Sequence, residues 1–137
     1  MIKQILLTRN YKFCCSHRLH NSKLSKQQNQ QLYQECNNRF GHGHDYVLEV
    51  TLKGEIEPLT GMSCDLVFLD RTVKREVVNR YDHKHLNYDV PDFKGVVPTA
   101  ENILIVIWQR LTKKLPRDRI YKLKLIETSN NYFEYYG

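Results

Sequence analysis

The chain has 137 residues, with 41% apolar and 26% charged residues, which excludes a disordered or fibrous protein and suits one domain with a real core. The net charge of +6 comes from basic residues spread along the chain, which excludes a basic arm and points to an anionic ligand, either nucleic acid or a phosphorylated small molecule. Ile5-Leu6-Leu7 is too short for a secretory signal and no window reaches transmembrane length, so the expected location is cytoplasmic.

The first strand is predicted from about Lys3 to His17, with a bend near Asn10. The stretch from Asn21 to Gln34 is rich in Gln, Asn, Ser and Lys and reads mainly as a long surface loop with room for a short helix. A second strand follows, in which Tyr46, Leu48, Val50 and Leu52 alternate with Val47, Glu49, Thr51 and Lys53. Glu57 to Gly61 is a turn. Asp65 is an N-cap for a helix to about Tyr81, with Leu66, Leu69, Val73 and Val77 as its apolar stripe. Thr99 caps a second helix, which carries Leu104, Ile107, Leu111 and Leu115 on one face and is stopped by Pro116. Two strands, from about Tyr121 to Thr128 and Tyr132 to Tyr136, turn at Ser129-Asn130-Asn131. The order β-β-α-α-β-β predicts an α+β domain spanning 1–137, with an antiparallel sheet and helices on one face.

The chemistry concentrates between Cys36 and His44. His42 and His44 are two apart, so on a strand both imidazoles point to one face. His17 ends the first strand and is the candidate third metal ligand. Three histidines leave a catalytic zinc site open. Adding Cys36 as a fourth ligand closes it into a structural one. A thiol standing off the metal would instead be a base or nucleophile, and residue spacing leaves this choice open. Glu127 ends a strand whose Tyr121, Leu123 and Leu125 share its face. Cys14, Cys15 and Cys64 read as small packing residues in a reduced protein, and His20 and His85 as surface groups.

Cys36-Asn-Asn, Gly41-His-Gly-His44, Asp82-His83-Lys84-His85-Leu86-Asn87, Thr99-Ala-Glu-Asn102 and Glu127-Thr128 together resemble the 6-pyruvoyl-tetrahydropterin synthase family. The resemblance implies a T-fold, a four-stranded antiparallel sheet with two helices on one face, assembled as a hexamer of two stacked trimers with active sites between subunits. It implies zinc on His17, His42 and His44, a catalytic thiol at Cys36 and a proton-relay pair at Asp82 and His83. It also implies a pterin-binding carboxylate at Glu127, with Thr99 and Glu101 in the same pocket. The implied reaction converts 7,8-dihydroneopterin triphosphate to 6-pyruvoyl-tetrahydropterin with loss of triphosphate. The close sibling, 6-carboxy-tetrahydropterin synthase of the queuosine pathway, uses the same substrate and is the alternative. A small zinc module that binds nucleic acid is a distant one, disfavoured because no basic cluster accompanies exposed aromatics. Arg39-Phe40 and Asp45 depart from the family's common wording, the first pair within the Cys36 loop. No Gly-rich phosphate cradle is present. Lys23, Lys26 and Arg18 are the candidate triphosphate contacts.

Overall fold

The computed structural model describes residues 3–137. Its element order is β1 (Gln4–His17), α1 (Lys26–Tyr33), β2 (His42–Glu55), α2 (Leu66–Val73), α3 (Asn79–Tyr81), α4 (Leu86–Asp89), α5 (Ala100–Thr112), β3 (Ile120–Thr128) and β4 (Asn131–Tyr135). The four strands form one antiparallel sheet in the order β1-β2-β3-β4. The helical excursion between β2 and β3 covers one face, giving the expected α+β architecture.

Period-2 alternation decides which face is covered. Tyr11, Phe13 and Cys15 of β1, Tyr46, Leu48, Val50 and Leu52 of β2, and Leu123 and Leu125 of β3 are all buried. They meet Leu69, Val73, Val77 and Tyr81 from the α2–α3 run and Ile103, Leu104, Ile107, Trp108 and Leu111 from α5. Burying each large aliphatic side chain contributes about 2 kcal/mol. Asp65 caps α2 by accepting from the Phe68 amide at 3.0 Å, and Thr99 caps α5 by accepting from the Asn102 amide at 3.2 Å.

The structure departs from the sequence reading in four places. β1 runs unbroken through Asn10, because its pairing with β2 is continuous from Gln4 to His17. The polar loop contains α1, started by a capping box in which Ser25 and Gln28 satisfy each other's backbone amides. Asn29, fully buried, ties down the preceding turn by bonding to both the amide and the carbonyl of Asn21. The predicted helix from Asp65 to Tyr81 is interrupted by a π turn, Lys74–Val78, at which the buried Glu76 carboxylate accepts from Arg110 at 2.7 Å. Finally, a bulge at Tyr121 shifts the β2–β3 register, so that Ile120 fills the core and Tyr121 turns outward.

Beneath α5, Asp92 accepts hydrogen bonds from Arg80 Nε at 2.9 Å and the Tyr81 hydroxyl at 2.9 Å, with Arg110 3.4 Å away. The Asp92 side chain is 12% exposed, so this is a largely buried charge that depends on its partners. Arg80, then Tyr81 and Arg110, hold its carboxyl below the usual carboxylate range against the opposing effect of burial. A lowered folded-state pKa contributes stability that is full above the unfolded aspartate value near pH 4 and is lost as pH falls through the lowered value. Asp92→Asn is expected to cost about 3 kcal/mol at neutral pH and to flatten the acid limb of the stability curve. Urea unfolding midpoints between about pH 3 and pH 7 check this; an unchanged midpoint and an unchanged acid limb contradict it.

Candidate metal centre and active site

The β1–β2 register places His17 opposite His42 and Cys15 opposite His44. The three imidazoles thus meet at one end of the sheet. Each has a ligand-capable nitrogen within 4.8 Å of the others. His17 stacks on His42 with centroids 5.1 Å apart, and His44 meets both edge-on.

Three observations fit a metal ion. His17 Nδ1 lies 2.8 Å from the Pro98 carbonyl, which makes it the protonated nitrogen and turns the Nε2 lone pair toward the cluster. Nε2 of His17 and Nε2 of His42 are buried and have no hydrogen-bond partner among the described residues. Burial, reinforced by the neighbouring imidazoles, lowers the pKa of His17, and burial does the same for His44, so both favour the neutral form that a ligand must have. Cys36 Sγ is outside the set of ligand atoms within that distance. The thiol is therefore a neighbour of the histidine cluster rather than a member of it.

Cys36 sits in a one-turn 3-10 helix, Gln34–Asn37. This turn is sewn to the segment after His17: the Leu19 amide donates to the Cys36 carbonyl at 2.8 Å, and Arg18 Nε donates to the Asn37 carbonyl at 3.1 Å. The buried Asn37 donates to the Leu19 carbonyl and also approaches His20 Nδ1 at 3.1 Å, so His20 is not a free surface group. Asn87 brackets the Arg18 backbone, accepting from its amide and donating to its carbonyl, each at 2.8 Å. Burial first, and then the fields of Glu127 and Glu35, push the Cys36 thiol upward.

Glu127 faces the same end of the sheet. It receives a hydrogen bond from the Tyr46 hydroxyl at 3.4 Å and from Asn131 Nδ2 at 3.3 Å. Its field also reaches His17 and His44.

Asp82 and His83 are held elsewhere. Residues 82–85 lie along the outer edge of β1. The Cys14 amide donates to Asp82 Oδ1 at 2.8 Å, the His83 amide to the Cys14 carbonyl at 2.6 Å, and the Ser16 amide to the Lys84 carbonyl at 3.0 Å. Asp82 Oδ2 lies 2.9 Å from His83 Nδ1, so the expected pair forms. The Cys14 amide, then His83, hold the Asp82 carboxyl below its usual range. The His83 side chain is 83% exposed, and the pair makes no hydrogen bond to Cys36 or to the three histidines within the described residues. Thr99 is committed to its helix cap, and the exposed Glu101 makes no hydrogen bond to Glu127 within the described residues.

Two further expectations are corrected. His85 is no surface group. Its ring nitrogens are buried without partners among the described residues, and its ring lies tilted against Tyr88 with centroids 4.6 Å apart. It packs on Gly41 (φ +79°), where a Cβ would lie 2.8 Å from His85 Nε2 and 2.6 Å from the His17 carbonyl. Only glycine fits that approach to the first of the paired histidines. Cys14 is exposed on the outer face rather than packed, because adjacent strand residues point to opposite faces and Cys15 takes the inner one. A cleft of about 660 Å³ runs between residues 20–23 and 87–97 and carries Lys23 and Lys94, but it includes none of the three clustered histidines. The chemical groups cluster instead at the end of the sheet.

The family model described as 6-pyruvoyl tetrahydropterin synthase matches residues 6–137. The 6-pyruvoyl tetrahydrobiopterin synthase of Dictyostelium discoideum is 42% identical over 137 residues, covering 100% of this chain and 99% of that one. That of Homo sapiens is 43% identical over 134 residues, covering 98% of this chain and 92% of its own. The structure of Caenorhabditis elegans 6-pyruvoyl tetrahydropterin synthase superposes with a TM-score of 0.93 at 37% identity, covering 99% of this chain and 97% of that one. With the family model matching residues 6–137, relatives above 40% identical along almost the whole chain and the fold in agreement, the chain belongs to the 6-pyruvoyl tetrahydropterin synthase family.

Proposed function

We propose that this chain is a zinc-dependent carbon-oxygen lyase that converts 7,8-dihydroneopterin triphosphate to 6-pyruvoyl-tetrahydropterin, with triphosphate eliminated and the redox change internal to the substrate. The observation that carries the reading is the convergence of three imidazoles, a separate thiol and a carboxylate at one end of the sheet, in a member of this family.

His17, His42 and His44 would hold the zinc, with Pro98 fixing the His17 tautomer. When bound, zinc supplies Lewis acidity at the substrate's side-chain hydroxyls. Glu127 accepts the paired N–H donors of the pterin edge, which a carboxylate matches in bidentate fashion. Cys36 takes a proton from a side-chain carbon. Burial and Glu127 favour its thiol form; a cation held by the histidines would favour the thiolate. Asp82 and His83, paired at 2.9 Å, supply the second acid/base group. Because His83 points outward from its own chain, it serves the thiol of a neighbouring subunit, in a hexamer of two stacked trimers. Thr99 and Glu101 complete the pterin pocket across the same boundary. The basic balance favours the approach of a triphosphate, with Lys23, Lys26 and Arg18 as its candidate contacts. The reduced cytoplasm suits a chain whose cysteines are free.

Incubation of zinc-loaded protein with 7,8-dihydroneopterin triphosphate should release triphosphate and yield the pyruvoyl product by mass. A six-carboxy product with acetaldehyde would move the chain to the carboxy branch, and unaltered substrate would refute both. Cys36→Ala should lower kcat by about 10²–10⁴-fold, the range of a general base, while retaining one zinc per chain. His42→Ala should lose both metal and turnover. Metal analysis of the two variants checks the division of roles, and release of zinc by Cys36→Ala contradicts it.

A further inference from the structure

We propose that Tyr46 and Asn131 are positioning residues that set the angle of the Glu127 carboxylate and so fix it as the acceptor for the pterin edge; this rests on the pterin synthase reading above. Three features of the chain converge on it.

The first is the backbone. In the β3–β4 ladder Ile126 pairs with Tyr132 and Thr128 with Asn131, so Glu127 is the extra residue of a bulge. The bulge leaves Glu127 without a paired residue opposite it on β4, while its side chain stays on the face of Tyr46. The second is a pair of donors, one on each carboxylate oxygen. The Tyr46 hydroxyl donates to Oε2 at 3.4 Å, and Asn131 Nδ2 donates to Oε1 at 3.3 Å. One lone pair on each oxygen is thereby occupied, leaving the others to accept two parallel N–H groups.

The third is that both donors are themselves immobilised. The Tyr46 ring is 1% exposed, stacked on Phe13 with centroids 5.4 Å apart, and edge-on to His44 at 5.6 Å. Its hydroxyl has Glu127 as its side-chain partner. Asn131 has its amide orientation set by the Thr128 hydroxyl, which donates to its Oδ1, so its NH₂ is turned toward Glu127. Tyr46 thus ties the carboxylate to the strand that carries His42 and His44, and Asn131 ties it to the hairpin turn. The distance from the pterin edge to the metal site is set by these two contacts.

The test is neopterin affinity of the zinc-loaded protein, read by fluorescence quenching, together with KM and kcat on 7,8-dihydroneopterin triphosphate. Tyr46→Phe and Asn131→Ala are each made alone and in a Glu127→Gln background. Each single variant is expected to weaken neopterin binding and raise KM by about tenfold, with kcat changed by less than about threefold and zinc content unaltered. In the Glu127→Gln background either substitution should add less than about twofold, because the group being positioned has been altered. An unchanged neopterin affinity in both variants, an equal loss in the Glu127→Gln background, or loss of zinc along with affinity overturns the inference. Asn131 is exposed at the start of β4, so its variant keeps the test sound should Tyr46→Phe fold poorly. If the unsubstituted protein fails to bind neopterin, the pterin reading falls with it; if it binds and the variants match it, this inference alone falls.

Discussion

The site depends on the antiparallel register of β1 against β2. His17 opposite His42, with His44 two residues on, is what gathers three imidazoles at one end of the sheet. A slip of one residue would turn the histidines of one strand to the opposite face and dissolve the cluster. The register is held by the core rather than by the histidines. Tyr11 and Phe13 on one strand and Tyr46, Leu48, Val50 and Leu52 on the other must all face the helices, which forbids a one-residue slip. Hydrophobic alternation over the middle of two strands thus fixes the geometry of polar groups at their ends.

Around that cluster the chain keeps its reactive groups apart. The imidazoles are desolvated and oriented, one of them by the Pro98 carbonyl at the start of α5. The thiol is carried on a separate turn, fastened by Asn37, Arg18 and Leu19, outside the set of ligand nitrogens. Burial and Glu127 hold this thiol in its protonated form. The Asp82–His83 pair is fixed on the outer edge of β1 by main-chain hydrogen bonds. Its placement explains why one chain carries every chemical group yet does not bring them all together.

Much of this was legible in the sequence because the informative patterns are local. Alternation identified β2, Asp65 and Thr99 announced their helices as caps, and two histidines two residues apart on a strand had to share a face. Features that depend on distant partners were not legible. The Tyr121 and Glu127 bulges arise from pairing with neighbouring strands, so period-2 counting put Tyr121 on the wrong face. Tyr46 read as one more core aromatic, although its hydroxyl meets a carboxylate 81 residues away in sequence. His85 read as a surface group because nothing in its surroundings along the chain reveals that it packs on Gly41. The α1 helix is a different case, since the Ser25–Gln28 capping box was present in the sequence and was outweighed by the polarity of the stretch.

The central claim is that three histidines hold the metal while Cys36 stands outside its coordination sphere. The most direct measurement is the electronic absorption spectrum of the cobalt(II)-substituted protein. Three nitrogen ligands and an open position predict ligand-field bands in the visible region with no sulfur-to-cobalt charge-transfer band in the near ultraviolet, and a spectrum unchanged in Cys36→Ala. A charge-transfer band that disappears in Cys36→Ala would make the thiol a fourth ligand and the site a closed, structural one.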